Sequence, residues 1–241
     1  MTVAVDRPSP VVRGSRPGWL GQALLVFKKD ADIELATGEV VVTSGFFAVL
    51  VVVLASFSFY GGPSSQRLVG SGVIWLSLTF AAVLGLGKTW QREREEGALD
   101  GLLVSPISRS AIFAGKLLGV LSFMLVIAAL VVPLAALLFS LDLLEFGPGL
   151  FSIVLLALPG VAASGTLFGA MTVRTRARDL LLAVVLFPLL TPTLLAAVAA
   201  TRELFNGVGM GELGDYYILM GLFDVIFVSS GLGLFSSLIE R

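Results

Sequence analysis

The densest run of charged side chains in the sequence is Arg92-Glu93-Arg94-Glu95-Glu96. Gly97 follows it, and then Leu99, Leu102 and Leu103 recur at helical spacing with Asp100 beside them. Leucines three and four residues apart share one helix face, so the stretch predicts a short amphipathic helix with a charged head and an apolar ridge. Ser105-Pro106 ends it, because the residue before a proline avoids the helical region. Ser108 or Ser110 is placed to cap the next helix. Such a segment reads either as a solvated loop whose leucines touch lipid headgroups, or as a coupling helix that fits a groove on a partner. The second residue with chemical potential is Asp224, a carboxylate deep in an apolar run. A charge there is costly in hydrocarbon and faces protein or water, as a polar pathway site or as a hydrogen-bonded packing group.

Other chemistry is excluded. The chain has no cysteine and no histidine. Disulfides, thiolate zinc, cysteine nucleophiles and Ser–His hydrolysis cannot be built. No catalytic residue and no metal ligand is therefore named, and cofactor-binding residues stay open. Ala82 to Thr89 fits a permissive phosphate-loop pattern, with Ala in place of the first glycine. A genuine loop of that kind joins a buried strand to a helix in an α/β domain. Here the stretch ends an apolar helix, and no such pattern surrounds it. Lys88 instead marks a span end.

The elements that position these residues follow from composition. Of 241 residues, 56% are hydrophobic and 14% charged, with a mean hydropathy of +0.98. A soluble domain carries about 25% charged residues. A soluble enzyme, a nucleic-acid-binding protein and a disordered chain are excluded, and an all-α membrane protein is predicted. Period-2 alternation is absent, which argues against a β-barrel.

Residues 1–18 read as a disordered cytosolic tail and not as a signal peptide. Residues 19–39 read as an interfacial helix with Trp19 at headgroup level, or more simply as a polar lead into the first span. Residues 40–241 form a six-span domain. The spans are expected near Val40–Tyr60, Leu68–Gly87, Ile112–Leu141, Gly149–Val173, Leu180–Ala200 and Tyr216–Ile239. With these spans, fourteen of the sixteen basic residues fall on one side, and only Arg67 and Arg202 on the other. The positive-inside rule makes that side cytoplasmic, with both termini inside. Arg174, Arg176 and Arg178 are most simply topology determinants, with a second contact to a cytosolic ATPase as the alternative. Pro133, Pro159, Pro188 and Pro192 interrupt the spans, and Gly165 and Gly169 form a small-residue pair suited to a close helix contact, within the bundle or across a dimer. Thr201 to Asp215 is an external stretch that the sequence leaves undecided between a short helix and a re-entrant turn.

The stretch Glu93 to Pro106 has the form E-R-E-x-G-x-L-x-x-L-L-x-S-P and resembles the cytosolic loop of type 2 ABC exporter permeases. Within that group it is most similar to the haem exporter protein B (CcmB) family of cytochrome c maturation. Ser105-Pro106-Ile107-Ser108-Arg109-Ser110, the later Gly115-Lys116 and the Lys28-Lys29-Asp30 to Glu34 lead agree with that resemblance. It implies a multi-pass permease subunit of the bacterial cytoplasmic (inner) membrane that carries no ATPase of its own. ATP would be hydrolysed on a CcmA-like cytosolic partner. A CcmC-like membrane subunit, a periplasmic haem chaperone and surrounding lipid complete the set, with haem as substrate and no cofactor bound directly. Glu93, Arg94, Glu95, Gly97, Leu99, Leu102, Leu103, Ser105 and Pro106 are then the ATPase-coupling residues. On this reading, charge reversal at Glu93 and Glu95 weakens coupling without unfolding the chain. The alternatives are a type 2 ABC permease for a drug, lipid or glycan, an intramembrane enzyme, for which no catalytic set exists, and a passive assembly factor with no ATPase partner.

Overall fold

Gly38 sets the first bend of the chain. It takes φ 63°, a left-handed conformation that costs glycine little. Its N–H bonds the Glu34 carbonyl at 2.6 Å and closes α1 (Trp19–Thr37), and α2 (Glu39–Ser58) starts at the next residue. The computed structural model describes residues 17–59, 62–95, 97–172 and 178–239. The remaining elements are α3 (Pro63–Glu95), α4 (Ala98–Val104), α5 (Arg109–Leu138), α6 (Leu143–Thr172), α7 (Arg178–Phe205), a 3-10 turn at Met210–Leu213 and α8 (Gly214–Ile239). Among the described residues there is no strand. Also among the described residues, six helices, α2, α3 and α5 to α8, are long and apolar enough to cross a membrane. The chain is a multi-pass membrane protein of all-α architecture. The proposed tail, residues 1–18, lies outside the described residues except for Pro17 and Gly18, as do Arg174 and Arg176.

The helices overrun the apolar segments that announce them. α3 continues from Gly87 through Lys88-Thr89-Trp90 to Glu95. The added turns are rich in good helix formers, and they are anchored by Trp90, which is 2% exposed. α7 likewise runs on to Phe205, and the undecided external stretch resolves into that extension, a turn and the 3-10 segment. There Arg67 donates to the Phe205 carbonyl at 3.2 Å and lies 5.8 Å above the Phe146 ring, which itself packs on Phe205.

Glycines decide where the spans meet. Gly165 and Gly169 on α6 receive Leu86 and Trp90 of α3, one turn apart on each helix. The small-residue pair is thus spent inside one chain, because helices without side chains at the seam approach closely. This removes it from the candidates for a dimer face. A methyl at Gly169 would fall within the Trp90 indole. Gly169→Ala is therefore expected to cost about 1–3 kcal/mol through overpacking, read as a lowered unfolding midpoint in detergent. An unchanged midpoint would mean that Trp90 is seated elsewhere. Gly231 of α8 admits Phe113 of α5 in the same way, and Phe113 stacks obliquely on Phe235 at 5.4 Å.

α1 is joined to the bundle along much of its length. Trp19 Nε1 donates to Ser110 Oγ at 2.9 Å, and the Gln22 side chain accepts the Ser108 N–H at 2.9 Å. Ala23 and Val26 are buried on Gly115 of α5, where a Cβ would stand 2.6 Å from the Ala23 carbonyl. The Trp19 indole thus has a protein partner as well as an exposed face. α1 shares the core of the six spans.

Candidate functional site

The turns of α1, α3 and α5 that meet at this end of the bundle carry charges, and the fold brings the charges together. Lys116 projects from α5 and is 1% exposed. Its ammonium contacts Asp30 of α1 at 2.8 Å and Glu93 of α3 at a shorter distance. Lys29 closes the group, 3.0 Å from Glu93 and 3.2 Å from Asp30. Two cations and two carboxylates from three helices form a neutral cluster. Such neutrality is required, because each buried ion loses several kcal/mol of hydration that only close, hydrogen-bonded partners offset. Burial opposes the Lys29 charge, yet Asp30 and Glu93 outweigh it and hold that ammonium above the usual lysine range.

A second, wetter network adjoins the first. Arg92 lies 2.9 Å from Glu39 and 3.7 Å from Glu34, and also donates to Thr37 at 3.2 Å. Lys88 reaches Glu39 at 3.2 Å. Glu34 accepts the Val41 N–H at 2.8 Å, so it pins the start of α2 across the Gly38 bend. Glu39 is exposed and Lys88 half-buried, and salt screens that pair more than the inner cluster. Adjacent residues of α3, Arg92 and Glu93, thus hold α2 and α1 on one side and α5 on the other.

The residues expected from the sequence to couple to an ATPase separate into two groups. Glu93, Arg94 and Glu95 end α3 and precede the short helix, which starts at Ala98. Glu93 is 5% exposed and belongs to the ion cluster. It is a joint beneath the surface, and reversing its charge would leave three cations around Asp30. The expectation that reversal spares the fold is therefore kept for Glu95 and withdrawn for Glu93. Arg94 and Glu95 are exposed, with Glu95 accepting from Gln91 at 2.8 Å. Gly97 takes φ 60° and turns the chain into α4.

α4 has seven residues. Leu102 is half-buried against the core, whereas Val104 is 89% exposed. The side chains of Leu99 and Leu103 lie outside the described residues. Ser105 is extended at ψ 153°, as its place before Pro106 demands, and its hydroxyl donates to the Leu102 carbonyl at 2.6 Å. Pro106 is exposed. The structure thus places a short helix between two spans, rooted in an ion cluster on one flank.

Asp224 sits apart, on α8. Its Oδ1 is shut off from solvent against Gly160 of α6, and no larger residue at that position would admit the carboxylate. Two turns away the same helices are joined by the 2.7 Å contact between Ser152 and Tyr217. Asp224 and the ion cluster therefore lie on different helix seams. Among the described residues no three carboxylates gather as metal ligands would.

The cluster was missed by sequence reasoning. In the sequence Lys116 counts among the basic residues of one side, just inside the third span; in the structure it lies seven residues into a helix that begins at Arg109. Its position between Gly115 and Leu117, with apolar residues continuing on both sides, is the signal that it needs a buried partner.

Residues 22–235 match the family model described as CcmB protein. The chain is 30% identical over 189 residues to the Heme exporter protein B of Pseudomonas aeruginosa, which covers 78% of this chain and 80% of that protein. It is 29% identical over 188 residues to the Heme exporter protein B of Bradyrhizobium diazoefficiens, covering 76% and 82% respectively. A third relative, from Rhodobacter capsulatus, is 30% identical over 169 residues and covers 68% of this chain and 75% of its own length.

Proposed function

The chain belongs to the CcmB family, and from that premise we propose that it is the membrane permease subunit of an ABC transporter complex delivering haem for c-type cytochrome biogenesis. The name of its relatives, Heme exporter protein B, supports haem as the substrate class. ATP is hydrolysed on a separate cytosolic subunit. The protein lies in the bacterial inner membrane with both termini cytoplasmic, a topology supported by the one-sided distribution of its basic residues. A haem-handling membrane subunit and a periplasmic chaperone receive what the complex moves.

The observation that carries the coupling part of this reading is the position of α4 relative to the ion cluster. Glu93 lies at the end of α3, four residues before Gly97 turns the chain into α4. A displacement of α4 by a docked ATPase is passed into α3, and through Glu93 to Lys116 of α5 and Lys29 of α1. Buried charge pairs transmit such a push because separating them exposes uncompensated ions in a poorly solvating medium. With no histidine in the chain, imidazole ligation of haem iron is unavailable. The role that remains is force transmission in haem delivery, with tight iron binding left to other subunits.

The deciding experiment is complementation of a deletion strain, reading covalent haem on c-type cytochromes, with co-purification of the nucleotide-binding subunit. Restored cytochrome and a retained ATPase are expected. No restoration, with the protein present in the membrane and the ATPase still bound, would favour a type 2 exporter of a drug, lipid or glycan. Asp224→Asn belongs in the same assay. A pathway role for Asp224 requires reduced cytochrome maturation at normal protein level, and full activity assigns it to packing against Gly160.

A further inference from the structure

The two charge networks form one wall of a cavity of about 490 Å³ enclosed by α1, α2, α3 and α5. That volume falls within the range of small-molecule sites, about 300–1,000 Å³. Asp30, Glu34, Arg92, Glu93 and Lys116 supply the charged wall, and the rest of the lining is mainly apolar. The charges are confined to one end. From Lys116 the cavity follows α5 past Val120 and Phe123 to Val126, about 15 Å by helix rise. Its outer lips are Leu35, Val42 and Val126, which are 86%, 67% and 54% exposed and come from three different helices. In a membrane-spanning bundle the lips on α2 and α5 face hydrocarbon, so the cavity opens sideways to the bilayer.

Its polar end is incompletely satisfied. Glu93 Oε2 is buried and accepts no hydrogen bond, and neither does Glu34 Oε2, which lies 3.7 Å from Arg92. A buried carboxylate oxygen without a donor costs free energy, so both oxygens call for a donor from outside the chain. Beside them Arg92 has guanidinium donors beyond those given to Thr37 and Glu39. Carboxylate acceptors next to a cationic donor, at the head of an apolar slot, complement an ammonium and a phosphate joined to a hydrocarbon chain.

We propose that this cavity is a lipid site, which takes one acyl chain of a phospholipid with a primary-ammonium headgroup and seats the ammonium on Glu93 and Glu34. A trimethylammonium headgroup has no N–H to donate, and a glycerol headgroup brings the same phosphate but no cation to answer the carboxylates, so the headgroup is discriminated by chemistry and not by size alone. The proposal rests on insertion of the helices in a bilayer and is independent of the transported substrate. The occupied site would brace the junction of α1 and α2 with α5.

The test is native mass spectrometry of the full chain, released from nanodiscs of equimolar phosphatidylethanolamine, phosphatidylcholine and phosphatidylglycerol. Retention of phosphatidylethanolamine is expected, about tenfold over phosphatidylcholine for a charge-assisted hydrogen bond lost. Val126→Trp, at the exposed lip, is expected to abolish the retained lipid. Glu34→Gln keeps an acceptor for the Val41 N–H and is expected to reduce the preference severalfold with the folded yield unchanged. Equal retention of the three lipids, preference for phosphatidylglycerol, or undiminished retention in Val126→Trp would each overturn the proposal. No retained phospholipid at all would overturn it too, in favour of a cavity filled by a protein segment.

Discussion

Lys116→Met should remove most of the folded protein from the membrane, and adding Glu93→Leu should bring it back without restoring function. Lys116 is 1% exposed and is the cation shared by Asp30 and Glu93. Taking it away leaves two carboxylates with only Lys29 between them, in a place where water cannot compensate. Breaking a buried ion pair from one side costs about 3–5 kcal/mol, whereas replacing both partners by apolar groups is often neutral. The double variant retains Lys29 with Asp30, so charge balance returns. Methionine and leucine then fill the space with little change of volume. The variant has nevertheless lost the link between α3 and α5. Folded yield by size-exclusion chromatography should therefore recover, while stimulation of the ATPase and covalent haem on cytochromes should stay low. Normal folding of Lys116→Met would remove the cluster from the account of the fold. Full activity of the double variant would make the cluster structural only.

The reason that cluster escaped the sequence, while the spans did not, is physical. Spans are local: twenty apolar residues declare themselves in any window, and α2, α3 and α5 to α8 all lie where composition put them. The end of a span is less local. α3 extends to Glu95 because Trp90 finds Gly169, and nothing near Trp90 in the sequence identifies that partner. The Gly165 and Gly169 pair advertised a close contact without saying with which helix. Ion pairs are the least local feature of all. Lys116 and Asp30 are 86 residues apart, and Lys29 and Glu93 are 64. Each lysine taken alone obeys the positive-inside rule and reads as a topology signal, and each carboxylate reads as a solvated charge beside it. The short helix was legible as a helix because the Gly97 turn and the Ser105-Pro106 stop are both local. Its division into an exposed surface and a buried root was not, because amphipathicity says which residues share a face and not what covers that face.

That division yields the second large effect. On the exposed side, Val104 is 89% exposed at the end of α4, and Glu95 stands in solvent at the end of α3. An apolar residue held outward on a seven-residue helix is the kind of anchor that a partner groove desolvates. Val104→Asp would carry a carboxylate into that groove. A loss of 2 kcal/mol or more, the range of interface hot spots, is about a thirtyfold drop in affinity for the ATPase subunit. Glu95→Lys should act in the same direction but more weakly, since a rim charge chiefly alters association rate and salt dependence. Both variants should fold normally, because neither side chain is part of the core. Leu144, 92% exposed at the start of α6, is the matched control, and Leu144→Asp should leave association unchanged. The measurement is retention of the nucleotide-binding subunit on the purified membrane protein over a salt series. If Val104→Asp and Glu95→Lys retain the ATPase as the unaltered chain does, α4 is not the docking surface, whatever the ion cluster beneath it does. If only Val104→Asp loses it, the contact is apolar at its centre, and the charged head of the motif serves the joint and not the interface.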